Sequence, residues 1–331
     1  MQETVDTPPA ARAPVPARQA EPPSIHRQTL ARRTRRTRRT RRALAPLPWL
    51  APALALIAFV VLWPVWEMFQ TSRQHINSYG FNLGDYGWKN YSTLFADPNL
   101  GSVMTRTLLW TLAIVAITVL LSLALSQLLN RAFPGRRLVR WALIAPWAAS
   151  VMMTSIVFRW MLDPNNGVVN VFLHQIGVVK TYNGSQASWL GNPTAALWWM
   201  IAVAVFVSVP FTTYALLAGL TSIPAEVYEA ARMDGAGRWR TYRSITFPLL
   251  RPALLVAMLI NLMNVFNSFP IIWTMTGGGP DYQTSTSTVY MYALKQFNIG
   301  QSGALSVVNF GVVILIVLVF LRANRSALKE G

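Results

Sequence analysis

Residues able to do covalent chemistry are few and scattered in this 331-residue chain. It contains no cysteine, which excludes thiol nucleophiles, thiolate metal sites and disulfides. His26, His75 and His174 fall in no ligand spacing. Glu67, Asp163 and Asp281 are isolated and form no acid–base pair with a histidine in the sequence. The pattern predicts neither an enzyme nor a metal centre. What recurs instead is polar groups inside apolar runs. Asn261, Asn264 and Asn267 lie every third residue, with Phe266 beside them, and Ser208 and Phe211 flank Pro210. A proline inside a helix leaves a carbonyl without its N–H donor. Amides within a membrane span are costly unless they face the interior or a cavity. Such a stripe can hold a polar solute without reacting with it, or bond one helix to another.

The elements that position these groups follow from composition. Hydrophobic residues make up 53% of the chain and charged residues 12%, against roughly a quarter charged in soluble proteins. The apolar residues come in long runs with almost no charge, which read as membrane spans. Six are expected, at about 49–69, 103–129, 141–162, 194–220, 249–274 and 304–321, giving an all-α polytopic fold over 46–325. Residues 1–45 are rich in Pro, Ala and Arg and have no apolar period, so they predict a disordered tail. A short tail closes the chain at 326–331.

Charge sets the orientation. Of the 29 basic residues, 23 lie in the N-terminal tail, between the second and third spans, around 226–252, or at the C-terminus. The positive-inside rule then places both termini and the 221–248 loop in the cytoplasm. The net charge of +17 suggests nucleic acid in a soluble protein. Here the Arg run at 31–42 directly precedes a span, so contact with anionic lipid is expected and nucleic acid is not.

The polar stretch between the fourth and fifth spans reads as two short helices around a turn. Pro224 suits a first helical turn, and Gly235 permits a left-handed bend. Trp239, Tyr242 and Ile245 fall three apart, as one apolar face.

This stretch resembles the EAA loop of permease subunits of ABC importers. Glu229-Ala230-Ala231 is followed by Gly235 and, nine residues on, by Ile245, Thr246, Phe247 and Pro248, with Phe247 where the family has Leu. Phe266-Asn267-Ser268-Phe269 through Thr276-Gly277-Gly278-Gly279-Pro280 is similar to the carbohydrate branch of that family. Within it, the maltose and glycerol-phosphate permeases are nearest, on the side of the larger maltose permease subunit. The likeness spans roughly 45–325 and omits the Arg-rich tail.

The resemblance implies a channel-forming subunit that binds no cofactor. ATP and Mg would be bound by two separate ATP-binding subunits, and no GxxxxGK[ST] pattern occurs in this chain. It also implies a second homologous permease subunit and an extracytoplasmic sugar-binding protein. Carried over, Glu229, Ala230, Ala231, Asp234 and Gly235 would meet the ATPase. Ser208, Phe211, Phe266 and Asn267 would line a sugar pathway, to which the asparagine stripe adds Asn264. The cargo implied is a di- or oligosaccharide. The alternative is glycerol 3-phosphate or another phosphorylated polyol, which would favour an arginine at the site. None lies in the middle of the fourth or fifth span.

Overall fold

A computed structural model describes residues 47–177 and 188–323; the tails at 1–45 and 326–331 lie outside them. The chain divides into two units, 1–64 and 65–331. In the first, the described residues form the N-terminal part of helix α1 (Leu47–Arg73). The second unit holds everything discussed below.

After α1 a small antiparallel hairpin pairs β1 (Gln74–Ile76) with β2 (Asn82–Asp85). It lies between the first and second expected spans. Short helix α2 (Lys89–Ala96) leads into α3 (Pro98–Asn130). Asp97 caps α3 by accepting from the Asn99 N–H, and Pro98 stands in the first turn, where a missing N–H costs nothing. The next long helix, α7 (Pro193–Thr221), starts by the same device: Asn192 accepts from Thr194 and Ala195 ahead of Pro193. It runs uninterrupted across Pro210.

α3 and α7 form the centre. Trp110 and Ile114 of α3 pack in one cluster with Met200, Val203 and Ala204 of α7. The last helix, α13 (Ile299–Ala323), packs through Ala304 and Leu305 with Leu94, Val103 and Tyr290.

Among the described residues, five helices are long and apolar enough to cross a membrane. The expected third span is not one of them. It is two helices, α4 (Arg136–Ala148) and α5 (Val151–Met161), bent by 98° at Ala149–Ser150. At 13 and 11 residues they measure about 20 and 17 Å, so neither crosses a hydrocarbon core of about 30 Å alone. Both residues at the bend are extended, with ψ of 145° at Ala149 and 138° at Ser150. Loop residues 163–167 follow α5, then α6 (Val168–Gln175). Asp163 accepts from the Asn165 and Asn166 N–H groups, which hold its carboxyl below the usual range.

The expected fifth span is among the five, within 238–276, but its helix is interrupted. It is α10 (Phe247–Phe266) and α11 (Pro270–Thr276), separated by Asn267, Ser268 and Phe269. Pro270 supplies no N–H to continue the ladder and suits the first turn of a new helix. α11 belongs to the central cluster through Ile271, Ile272 and Met275. Arg159 of α5 donates to the Thr274 carbonyl in its last turn at 3.0 Å. Beyond it, a single turn at Pro280–Tyr282 precedes α12 (Ser287–Lys295).

Candidate functional site: a cleft at one end and a cavity at two helix breaks

The first site grows from the polar stretch after α7. Helix α8 (Ala225–Met233) ends at Asp234, and α9 (Arg238–Thr241) begins after Gly237. Gly235 adopts φ of 71°. Its N–H donates to the Arg232 carbonyl at 3.0 Å, and the Ala236 N–H to the Ala231 carbonyl at 2.9 Å. This paired closure satisfies the carbonyls left over at a helix end, and it needs a left-handed residue at the Gly235 position.

Beyond α9 the backbone makes a π turn at Tyr242–Thr246, where the Phe247 N–H reaches back to the Tyr242 carbonyl. The extra residue shifts the helical register. The apolar face expected at Trp239, Tyr242 and Ile245 is therefore rebuilt. Trp239 stacks on Tyr242 at 6.1 Å, and the next ring against Tyr242 is Phe247, at 6.3 Å. Thr246 donates to the Tyr228 hydroxyl at 3.4 Å and ties this segment to α8.

Together these elements wall a cleft of about 1060 Å³. Ala225, Tyr228, Glu229 and Arg232 line it from a single face of α8. Gln127, Asn130 and Arg131 close it from the end of α3, and Trp239 and Tyr242 from the far side. Glu229 thus stands in the cleft, while Ala230, Asp234 and Gly235 are exposed around the turn. Ala231 is turned inward and buried. Two large apolar side chains are open to solvent here: Met233, which the sequence reading passed over, is 89% exposed, and Trp239 is 72% exposed. The apolar type of Met233 in a basic segment was the available signal.

The second site lies where the two broken spans meet α7. A cavity of about 480 Å³ is lined by Ala149, Ser150 and Val151 at the α4–α5 bend, and by Ser268 and Ile271 at the α10–α11 break. Non-helical backbone is tolerated at membrane depth where it lines such a space. Ser208 and Phe211 enter from α7, Asn261 and Asn264 from α10, and Trp110 and Trp147 complete the wall. Trp110 donates its indole N–H to the Val265 carbonyl at 3.2 Å, which leaves the ring as a fixed apolar surface. Asn261 is 3% exposed, yet its amide nitrogen has no hydrogen-bond partner. A buried amide donor left unpaired costs about 1–3 kcal/mol.

Of the predicted pathway residues, Ser208, Phe211 and Asn264 come together here. Phe266 and Asn267 are not among the lining residues: Phe266 is buried, and the Asn267 amide donates to the Met263 carbonyl at 2.9 Å. The sequence stripe placed Asn261 but not its buried, unpaired donor. It gave no signal for Ser150, Trp147 or Ser268 beyond the nearby Pro146 and Pro270.

A third polar region flanks the cavity. Thr284, Ser285, Thr286, Ser287 and Thr288 are all buried. Thr288 donates to the Ser268 carbonyl at 3.1 Å, and the Ser287 N–H donates to Thr107 of α3 at 2.8 Å. Tyr290 hydrogen-bonds the Asp97 carboxylate; burial and that carboxylate both push its phenol well above the ordinary value. Gly278 and Gly279 lie so close to Ser285 and Thr284 that an added Cβ would stand 2.4 and 2.7 Å from their hydroxyl oxygens.

Known proteins share this architecture. The family of binding-protein-dependent transport system inner membrane components matches residues 119–326. A probable ABC transporter permease protein of Brucella suis is 37% identical over 279 residues, covering 82% of this chain and 94% of its own length. The sulfoquinovosyl glycerol transport system permease of Agrobacterium fabrum is 32% identical, covering 84% and 89%. Among solved structures, a chain of a bacterial ABC transporter that imports the acidic polysaccharide alginate superposes with a TM-score of 0.73. That match is 22% identical and covers 88% of this chain and 99% of the other. Among the described residues there are five apolar helices and a sixth, broken one; with the family match over 119–326 and a permease relative 37% identical over 82% of this chain, they make the chain a member of the binding-protein-dependent ABC permease family.

Proposed function

We propose that the chain is the translocating subunit of an ATP-driven importer whose cargo is a neutral di- or oligosaccharide. The observation that carries this reading is the cavity at the two helix breaks. Its walls offer the Ser150, Ser208 and Ser268 hydroxyls, the Asn261 and Asn264 amides, and the rings of Trp110, Trp147 and Phe211. Hydroxyl-rich solutes need that combination of uncharged hydrogen-bonding groups and flat apolar surface. Among the described residues, no Arg, Lys, His, Asp or Glu lines the cavity. A phosphorylated polyol would be expected to draw a cation to its phosphate, so this composition favours the neutral cargo. The volume falls in the range of roughly 300–1,000 Å³ usual for small-ligand pockets. The sulfoquinovosyl glycerol permease is named for a glycoside cargo, and this supports a carbohydrate; because its sulfo group is anionic, the neutral assignment rests on the cavity lining alone.

In this reading the chain lies in the bacterial cytoplasmic membrane with its termini inside. A second permease subunit pairs with it, and an extracytoplasmic binding protein delivers the sugar. Two ATP-binding subunits bind ATP and Mg and act on the cytoplasmic turn. Glu229, Ala230, Asp234 and Gly235 present the contact, and Ala231 packs beneath them. The same two helices that leave this turn reach the cavity. Phe211 is ten residues back along α7 from Thr221, about 15 Å, and Asn261 is fourteen along α10 from Phe247, about 21 Å. A tilt of the turn would therefore move both walls, as in alternating access by rigid rocking.

The test is uptake into proteoliposomes holding the assembled importer and its binding protein, with labelled mono-, di- and oligosaccharides and glycerol 3-phosphate. A neutral sugar should be taken up, and Asn261→Leu should lower its uptake about tenfold, the loss expected for one buried hydrogen bond. Uptake of glycerol 3-phosphate alone would overturn the assignment.

A further inference from the structure

We propose that Arg106 is a positioning residue for translocation, clamping the 277–288 loop in a left-handed form that fixes the cavity wall at Ser268. The inference rests on the reading of that cavity as the cargo pathway. Arg106 lies about two turns into α3. One guanidinium nitrogen donates to the Tyr282 carbonyl at 2.5 Å and faces the Ser285 carbonyl at 3.4 Å.

The loop it grips is unusual. From Gly277 to Tyr282 five of six residues have positive φ: 63°, 95° and 73° at the three glycines, 50° at Asp281 and 58° at Tyr282. Glycine adopts this region freely, whereas Asp is strained there and Tyr more so. Two adjacent residues of that kind persist only where the surroundings over-determine them. Arg106 supplies one such restraint. The Thr284 N–H supplies another, donating to the Gly278 carbonyl at 2.9 Å, and the Tyr282 ring a third, 4.9 Å edge-on from Tyr290.

The strain has a path to the cavity. Thr107, next to Arg106, accepts from Ser287, and one residue further Thr288 holds the Ser268 carbonyl. Ser268 lines the cavity and precedes α11, whose other end is Gly277. Arg106 and Thr107 thus hold the loop on both sides of Thr284–Thr286, and the loop holds both ends of α11. A loop kept strained by a few polar contacts can release when those contacts are exchanged, which suits a wall that must open once per cycle.

The experiment measures amide hydrogen exchange and sugar uptake in parallel, on the importer assembled with its partner subunits in lipid. Arg106→Ala should speed exchange at Thr284, Ser285 and Ser287 and lower maximal uptake, each by about tenfold. Arg106→Lys keeps the charge without the planar fork, so it should fall between. Asp281→Gly relieves strain at an exposed position and should slow loop exchange below wild type. Unchanged exchange in Arg106→Ala would overturn the clamp, and faster exchange with normal uptake would overturn its role in translocation. If Arg106→Ala fails to assemble, Asp281→Gly decides, because unchanged or faster exchange there removes the strain. Failure of the cargo reading itself would appear separately, as absence of sugar uptake by the wild type.

Discussion

At the scale of the residue, Gly235 and Asn261 carry the two halves of the account by opposite means. Gly235 matters for its backbone. An added Cβ would meet nothing within 4 Å, so the only obstacle to a side chain is the φ of 71°. Gly235→Ala should therefore cost about 1 kcal/mol locally, with no packing penalty. Faster amide exchange at Ala236, whose N–H closes the turn, would report it. In the proposed reading Asn261 matters for a donor without a protein partner, and its replacement should be felt as lost uptake and not as lost stability. Removing the Tyr290 hydroxyl should act the other way. Tyr290→Phe removes one of two hydrogen bonds to the half-buried Asp97 carboxylate and should lower stability by about 1 kcal/mol, seen as a lower thermal midpoint in detergent. Gly235 was legible because its neighbours Glu229 and Ile245 stand at set spacings. The inward turn of Ala231 was not, because an alanine reads alike on either face of a short helix.

At the scale of the element, the breaks decide what the helices can do. Apolar composition continues through Phe269, Pro270 and Ile271, so hydropathy reads 249–274 as one span. The same holds across Pro146 to Val151, where composition hides a 98° bend. Hydropathy reports the solvent of a segment and not its direction, and both breaks fall where the cavity forms. The π turn at Tyr242–Thr246 escaped for a related reason: a three-residue period assumes an uninterrupted helix. Close helix contact is the other determinant. A Cβ on Gly219 of α7 would stand 2.6 Å from Ala253 and 3.0 Å from Leu250 of α10. Gly219→Leu should force these helices apart at a cost of about 1–3 kcal/mol or more. It should depress both the thermal midpoint and uptake, because α7 and α10 together connect turn and cavity.

At the scale of the whole molecule, cleft and cavity lie on one frame. α3 contributes Asn130 to the cleft and Trp110 to the cavity, roughly 30 Å apart along a single helix. α7 and α10 run from the basic turn into the same cavity. The sequence alone placed the turn and most of the polar lining, but not the connection, since no residue pattern records which helices share a wall. The central claim is that motion of the Glu229–Gly235 turn drives cargo through that cavity. Its most direct test is the amount of sugar taken up per ATP hydrolysed, measured in proteoliposomes with binding protein for wild type and Gly235→Pro. Proline cannot adopt the left-handed turn. The account predicts continued sugar capture by the binding protein and continued hydrolysis, with uptake per ATP reduced about tenfold or more. An unchanged ratio would contradict it.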